Sequence, residues 1–162
     1  MFTYLLDKIK DQEFATNPFK HIYIENWLNE KHFNEIVNDD SIKIPQHSTT
    51  EQQIENLQNL NYKAIPFPGC TPDVQKYLEW YNGKKVTFKL NEILEGFGVS
   101  FRMMQYKNQM IQELIEYLNS AEFHDVLKEK FEKTQPTTVE TAVQKYMMGM
   151  KSHHILIFAK NV

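Results

Sequence analysis

Apolar residues recur at helical spacing in several stretches of this chain and alternate with polar ones in others. Phe2, Leu5, Leu6, Ile9 and Phe14 predict a short amphipathic helix over 3–14. Asn17-Pro18 breaks it. Beyond the break Phe19, His21, Tyr23 and Glu25 alternate with Lys20, Ile22 and Ile24, which predicts a strand over 19–25. Asn26 is a suitable N-cap for a helix over 27–38, with Leu28, Phe33, Ile36 and Val37 as its apolar stripe. Asp39-Asp40 closes that helix, and 41–44 is a short extended piece ending at Pro45.

Ile54, Leu57 and Leu60 mark a polar helix over 51–60. The run from Ile65 to Cys70 holds Pro66, Pro68 and Gly69 and cannot be helical. Thr71 then caps a helix over 72–81, with Pro72 at its first position, Asp73 in its first turn and Asn82-Gly83 at its close. Residues 99–106 are extended in character. Helices follow over 109–118, carried by Ile111, Leu114, Ile115 and Leu118, and over 121–132, carried by Phe123, Val126, Leu127 and Phe131. After a turn at Gln135-Pro136-Thr137-Thr138, Val139, Thr141, Val143, Lys145 and Met147 oppose Ala142, Gln144 and Tyr146, which predicts a strand over 139–148. Helices in runs with strands returning late define an α+β chain.

A length of 162 residues with 41% hydrophobic side chains suffices for one domain with a real core. The net charge of -3 argues against a nucleic-acid binder, since a phosphate backbone rewards a basic face. Arg102 is the sole arginine, so clamps built on several guanidinium groups are excluded. Cys70 is the sole cysteine, which leaves neither an internal disulfide nor a cysteine-rich zinc site. No stretch approaches the length of a membrane span. Met1 to Lys10 mixes Asp7, Lys8 and Lys10 into its apolar residues, unlike a signal peptide. The expectation is a cytoplasmic protein with neither nucleic acid nor membrane as partner.

The candidate chemistry is thin. The six histidines are His21, His32, His47, His124, His153 and His154. A non-haem iron site takes two histidines and one carboxylate, and in oxygenases the first pair comes as His-x-Asp or His-x-Glu. None of the six has a carboxylate two positions on. His153 and His154 as strand neighbours would point to opposite faces, His21 sits as a core or edge histidine among aromatics, and His124 beside Asp125 belongs to a solvated helix face. Cys70 stands near a helix N-terminus, where thiolates are stabilised, but with no histidine near it in sequence it is read as structural. Gly96-Phe97-Gly98 is too short for a phosphate-cradling loop and reads as a flexible entry to a strand. Lys84-Lys85 and Lys107 form no basic stripe. The chain itself offers no catalytic, cofactor-binding or metal-binding residue.

Several phrases resemble one family. Phe19-Lys20-His21-Ile22-Tyr23-Ile24-Glu25-Asn26 is similar to the opening strand of prolyl-hydroxylase-like 2-oxoglutarate- and Fe(II)-dependent oxygenases of marine bacteria and their phages. Phe67-Pro68-Gly69-Cys70-Thr71 with Tyr77-Leu78-Glu79-Trp80, and Gly96-Phe97-Gly98-Val99-Ser100-Phe101-Arg102, resemble two further stretches. The helix pair from Ile111 to Phe131 and the segment Thr141 to Gly149 resemble the approach to the first core strand. The resemblance runs to Gly149. It implies an N-terminal helical layer followed by the first strands of an incomplete double-stranded β-helix, or jelly roll, and a dioxygenase ancestry using Fe(II) and 2-oxoglutarate.

In that family the strand matching Gln144 to Gly149 leads into Tyr-Glu-x-Ser-Pro-His-x-Asp, which carries the first two iron ligands. Here Met150-Lys151-Ser152-His153-His154-Ile155-Leu156 follows instead. One inserted T after the Gly149 codon, with permitted codons beyond it, turns that stretch into Gly-Tyr-Glu-Ile-Ser-Pro-His-Pro-Asp. The Glu is forced, because Met has a single codon and every Lys codon begins AA. The expected organisation is therefore an oxygenase-like part over 1–149 and a frameshifted tail over 150–162. A truncated, inactive oxygenase relative is the first functional reading, and a non-catalytic interaction or scaffold domain is the alternative. Helical faces without their partner sheet would self-associate through exposed apolar surface.

Overall fold

A computed structural model describes residues 1–45, 49–93, 97–132 and 141–148. Among these the chain is mixed α/β, with six α-helices and a three-stranded antiparallel sheet. No helix among the described residues is long and apolar enough to cross a membrane. The chain forms two compact units, one of residues 1–43 and 107–141 and one built around residues 44–106 and 142–148.

The first unit is helical. Helix α1 (Tyr4–Asp11) buries Leu5, Leu6 and Ile9, and packs along α6 (Ala121–Lys130). Helix α2 (Glu30–Val37) packs on α5 (Gln109–Leu118), which also meets α6. The apolar spacing that predicts α5 fills the core with Met110, Ile111, Leu114 and Leu118. Each later helix is closed at its start by a local side chain: Asn29, Asn108 and Ser120 accept hydrogen bonds from the amides of His32, Ile111 and Phe123. Asn108 also donates to Asp39 at 2.9 Å, tying the α5 cap to the end of α2.

Three expectations fail in this unit. Residues 19–25 form no strand; the Asn17-Pro18 peptide is cis, and a single bridge joins Ala15 to His21. Alternation there has no sheet to face, and Phe19 and Tyr23 stand 67% and 70% exposed. Asn26 is not the α2 cap, because it adopts a left-handed φ of 50° and the helix starts after Asn29. Ser41 to Lys43 turn rather than extend, with the Ile42 and Lys43 amides both bonded to the Asp39 carbonyl.

The second unit holds the sheet in the order β1 (Tyr62–Ile65), β2 (Gly98–Met103), β3 (Gln144–Met148). Tyr62 pairs with Met103 and Ile65 with Ser100, while Gly98 pairs with Met148 and Arg102 with Gln144. Strand β1 is absent from the sequence expectation: four residues ending against Pro66 give too short an alternation. β2 ends at Met103 rather than 106, and β3 starts at Gln144, the expected turn at 135–138 lying outside the described residues. Helix α3 (Thr50–Asn59) lies against β1 and α4 (Val74–Tyr81) against β2. Asp73, not Thr71, caps α4, accepting from the Lys76 amide, while Thr71 receives the Asp73 amide. Gly83 closes α4 at a φ of 76°, a conformation that a side chain resists.

Candidate functional site

Two-residue periodicity divides the sheet into unlike faces. Val99, Phe101 and Met103 of β2 are fully buried on one side, with Tyr62 and Ala64 of β1 and Lys145 and Met147 of β3 opposite them. The other side carries Lys63, Ile65, Ser100, Arg102, Gln144 and Tyr146.

Polar residues on that second side bond to one another. The Gln144 amide takes the orientation in which its oxygen accepts from Nη2 and Nε of Arg102, at 2.7 and 3.0 Å, and its nitrogen donates to the Tyr146 hydroxyl at 3.1 Å. The reverse orientation would set an NH2 group against guanidinium donors. Gln144 is 1% exposed, so the sole arginine is held by a fully buried amide across the β2–β3 ladder. The ring of Phe67 meets Tyr146 edge-on at 5.2 Å. Burial raises the Tyr146 phenol pKa, and the Arg102 charge partly offsets it.

Beside the sheet a buried Glu92 pairs with a half-buried Lys76. Glu92 accepts from Lys76 Nζ at 2.5 Å and from the Lys89 amide at 2.7 Å. Burial pushes its carboxyl up, but these bonds and one from Thr71 outweigh it and leave the pKa below the ordinary value. Lys145 sits on the apolar face, 5% exposed, its ammonium 6.0 Å from the Tyr62 ring. Burial lowers its pKa to about 8.

Cys70 is 1% exposed, and burial pushes its thiol up to about 11, so the neighbouring helix start does not activate it. The histidines do not converge. His32 is buried under the Phe2 ring at 4.7 Å, its Nδ1 3.0 Å from the Tyr4 hydroxyl. His21 lies outside any strand, with Nδ1 2.8 Å from the Phe19 carbonyl. His124 is half-buried rather than solvated, because the helix turns it partly inward beside Phe123, and its Nε2 has no hydrogen-bond partner among the described residues. His47, His153 and His154 fall outside them. Among the described residues no three His, Cys, Asp or Glu side chains gather where a metal ion could be held. The described histidines, each fixed in separate aromatic or backbone surroundings, do not fit a two-histidine, one-carboxylate iron site.

Sequence reasoning missed the Arg102–Gln144 pair and the burial of Lys145 and Glu92. Only the alternation around Gln144 and Lys145 hinted that the two point oppositely. No protein-family model, curated protein or solved structure matches the chain.

Proposed function

We propose that this chain is the N-terminal region of a relative of the 2-oxoglutarate- and Fe(II)-dependent oxygenases, built on the first strands of a double-stranded β-helix, and that it is catalytically silent as it stands. The pairing of β2 with β3 carries this reading. Two stretches that resemble the family, the one ending at Arg102 and the one holding Gln144 to Met148, are hydrogen-bonded neighbours over five residue pairs, with a polar and an apolar side. A jelly roll needs that arrangement, since a second sheet encloses one side and the helices cover the other. Silence follows from the absent His-x-Asp or His-x-Glu pair. The interaction-domain reading is favoured by one feature, the exposed apolar and lysine-rich segment over 81–93.

Anaerobic calorimetry with Fe(II) tests the silence: no stoichiometric micromolar binding is expected, and tight one-to-one binding would refute it. The ancestry is tested at the nucleotide level. Read one base over from Gly149, the locus should run through Tyr-Glu-x-Ser-Pro-His-x-Asp to a distal histidine and a basic anchor. A shifted frame without those residues sinks the oxygenase reading of the tail.

A further inference from the structure

We propose that the segment over 81–93 is a docking tip for an anionic membrane surface. This goes beyond the oxygenase relation and does not depend on it.

Leu90 is 79% exposed, and Tyr81, Ile93 and Phe88 are 47%, 46% and 39% exposed in the same segment. A single exposed apolar side chain is ordinary; four fall within one segment of thirteen residues here. The segment is held outward by its base. Leu90–Glu92 is a 3-10 turn whose Glu92 side chain is buried on Lys76 and on the Lys89 amide. The Asn91 carbonyl accepts from the Gly69 amide at 2.9 Å, and the Phe88 ring meets Phe97 at 4.8 Å. A turn tied on both sides presents Leu90 on a backbone that is already ordered, which lowers the cost of binding.

Charge identifies the occupant. Lys84, Lys85 and Lys89 are exposed and form no ion pair among the described residues. Glu92, the one carboxylate between 80 and 93, is buried on Lys76. The solvent-facing part is therefore apolar and cationic at once. A headgroup region accepts that combination: aliphatic tips reach the acyl boundary while lysines stay at phosphate depth. Nucleic acid would satisfy the lysines and stack on Tyr81 or Phe88, but would leave the aliphatic Ile93 and Leu90, the most exposed of the four, unburied. A protein partner would need a pocket lined with carboxylates for a tip that protrudes. The chain's net charge of -3 does not oppose binding there, because basic residues outnumber acidic ones in the unit that carries the tip. The expectation of no membrane partner rested on the lack of a spanning stretch, which an interfacial tip does not require.

The test is co-sedimentation of the full chain with vesicles of phosphatidylcholine alone or with phosphatidylserine added, at low and high salt. Binding is expected only with phosphatidylserine and only at low salt. Leu90→Ser should weaken it about tenfold or more, and the Lys84→Glu, Lys85→Glu, Lys89→Glu triple variant should abolish it. Both changes lie at exposed positions, and unchanged thermal unfolding checks that the variants fold. Absence of binding overturns the proposal. So does binding indifferent to Leu90→Ser, which would be plain electrostatic adsorption. Light scattering that shows Leu90-dependent self-association without vesicle binding would assign the tip to a second copy instead and equally overturn it.

Discussion

The helical unit and the sheet unit both cap their helices with side chains, but differ in how many polar groups they bury. In the helical unit, Asn29, Asn108 and Ser120 satisfy helix-start amides from the surface, and the interior is aliphatic and aromatic. In the sheet unit Gln53, Thr71, Glu92, Ser100, Gln144 and Lys145 are all buried, against His32 alone in the other. Acidic residues outnumber basic ones in the helical unit and the reverse holds in the sheet unit. A buried polar group costs free energy unless it is bonded, so the bonds made by Thr71, Glu92 and Gln144 help specify this unit. Helices with surface caps carry structure; the sheet with buried Gln144 and Arg102 carries the candidate chemistry.

The contrast is most exposed to failure at Glu92. Glu92→Ala leaves the half-buried Lys76 and the Lys89 amide without their acceptor and should destabilise the chain by about 3 kcal/mol, measured by urea unfolding. A loss below about 1 kcal/mol, the size of a surface pair, would show that the ion pair is solvated and the two units alike.

Lys145 comes next. Its folded pKa of about 8 lies below the unfolded 10.5, so between those values the unfolded chain holds more protons and stability rises with pH. The rise is on the order of 3 kcal/mol. Cys70, raised from 9.0 to about 11, and Tyr77, raised from 10.0 to about 12, act the other way above pH 9.0. The difference between the parent and Lys145→Met isolates the lysine. Met keeps the length and drops the charge, so the variant should be more stable at neutral pH, with the gap closing as pH climbs through 8 to 10.5. Identical pH profiles for the two chains would mean that Lys145 is not desolvated.

The smallest effects belong to the helical unit. Asn108→Ala and Ser120→Ala should each cost about 1 kcal/mol, Asn108 the more of the two because it also holds Asp39. Thermal unfolding measures both. Losses as large as that of Glu92→Ala would place the capping residues inside a buried network and erase the distinction.

Helices α3, α5 and α6 were legible in the sequence because a helix is closed locally: its cap, its apolar spacing and its stop all lie within one stretch. The strand expected at 19–25 shows the limit, since alternation predicts a strand only where a neighbour receives its hydrogen bonds, and there is none. β1 failed in the reverse sense: its four residues carry little pattern, yet β2 recruits them.

What the sequence determined by itself is the local part: helix positions, the break at Pro66 and Pro68, the opposite facing of Gln144 and Lys145, and the absence of a His-x-Asp or His-x-Glu pair. The caps it pointed to, Asn26 and Thr71, gave way to Asn29 and Asp73. Tertiary structure alone decided which distant residues share a surface. Gln144 grips Arg102, Lys76 sinks Glu92 at the base of an exposed tip, and Lys145 is carried into the core by its strand. Each depends on strand register or on packing between segments far apart in the chain, and no periodicity within one segment encodes which partner the other side supplies.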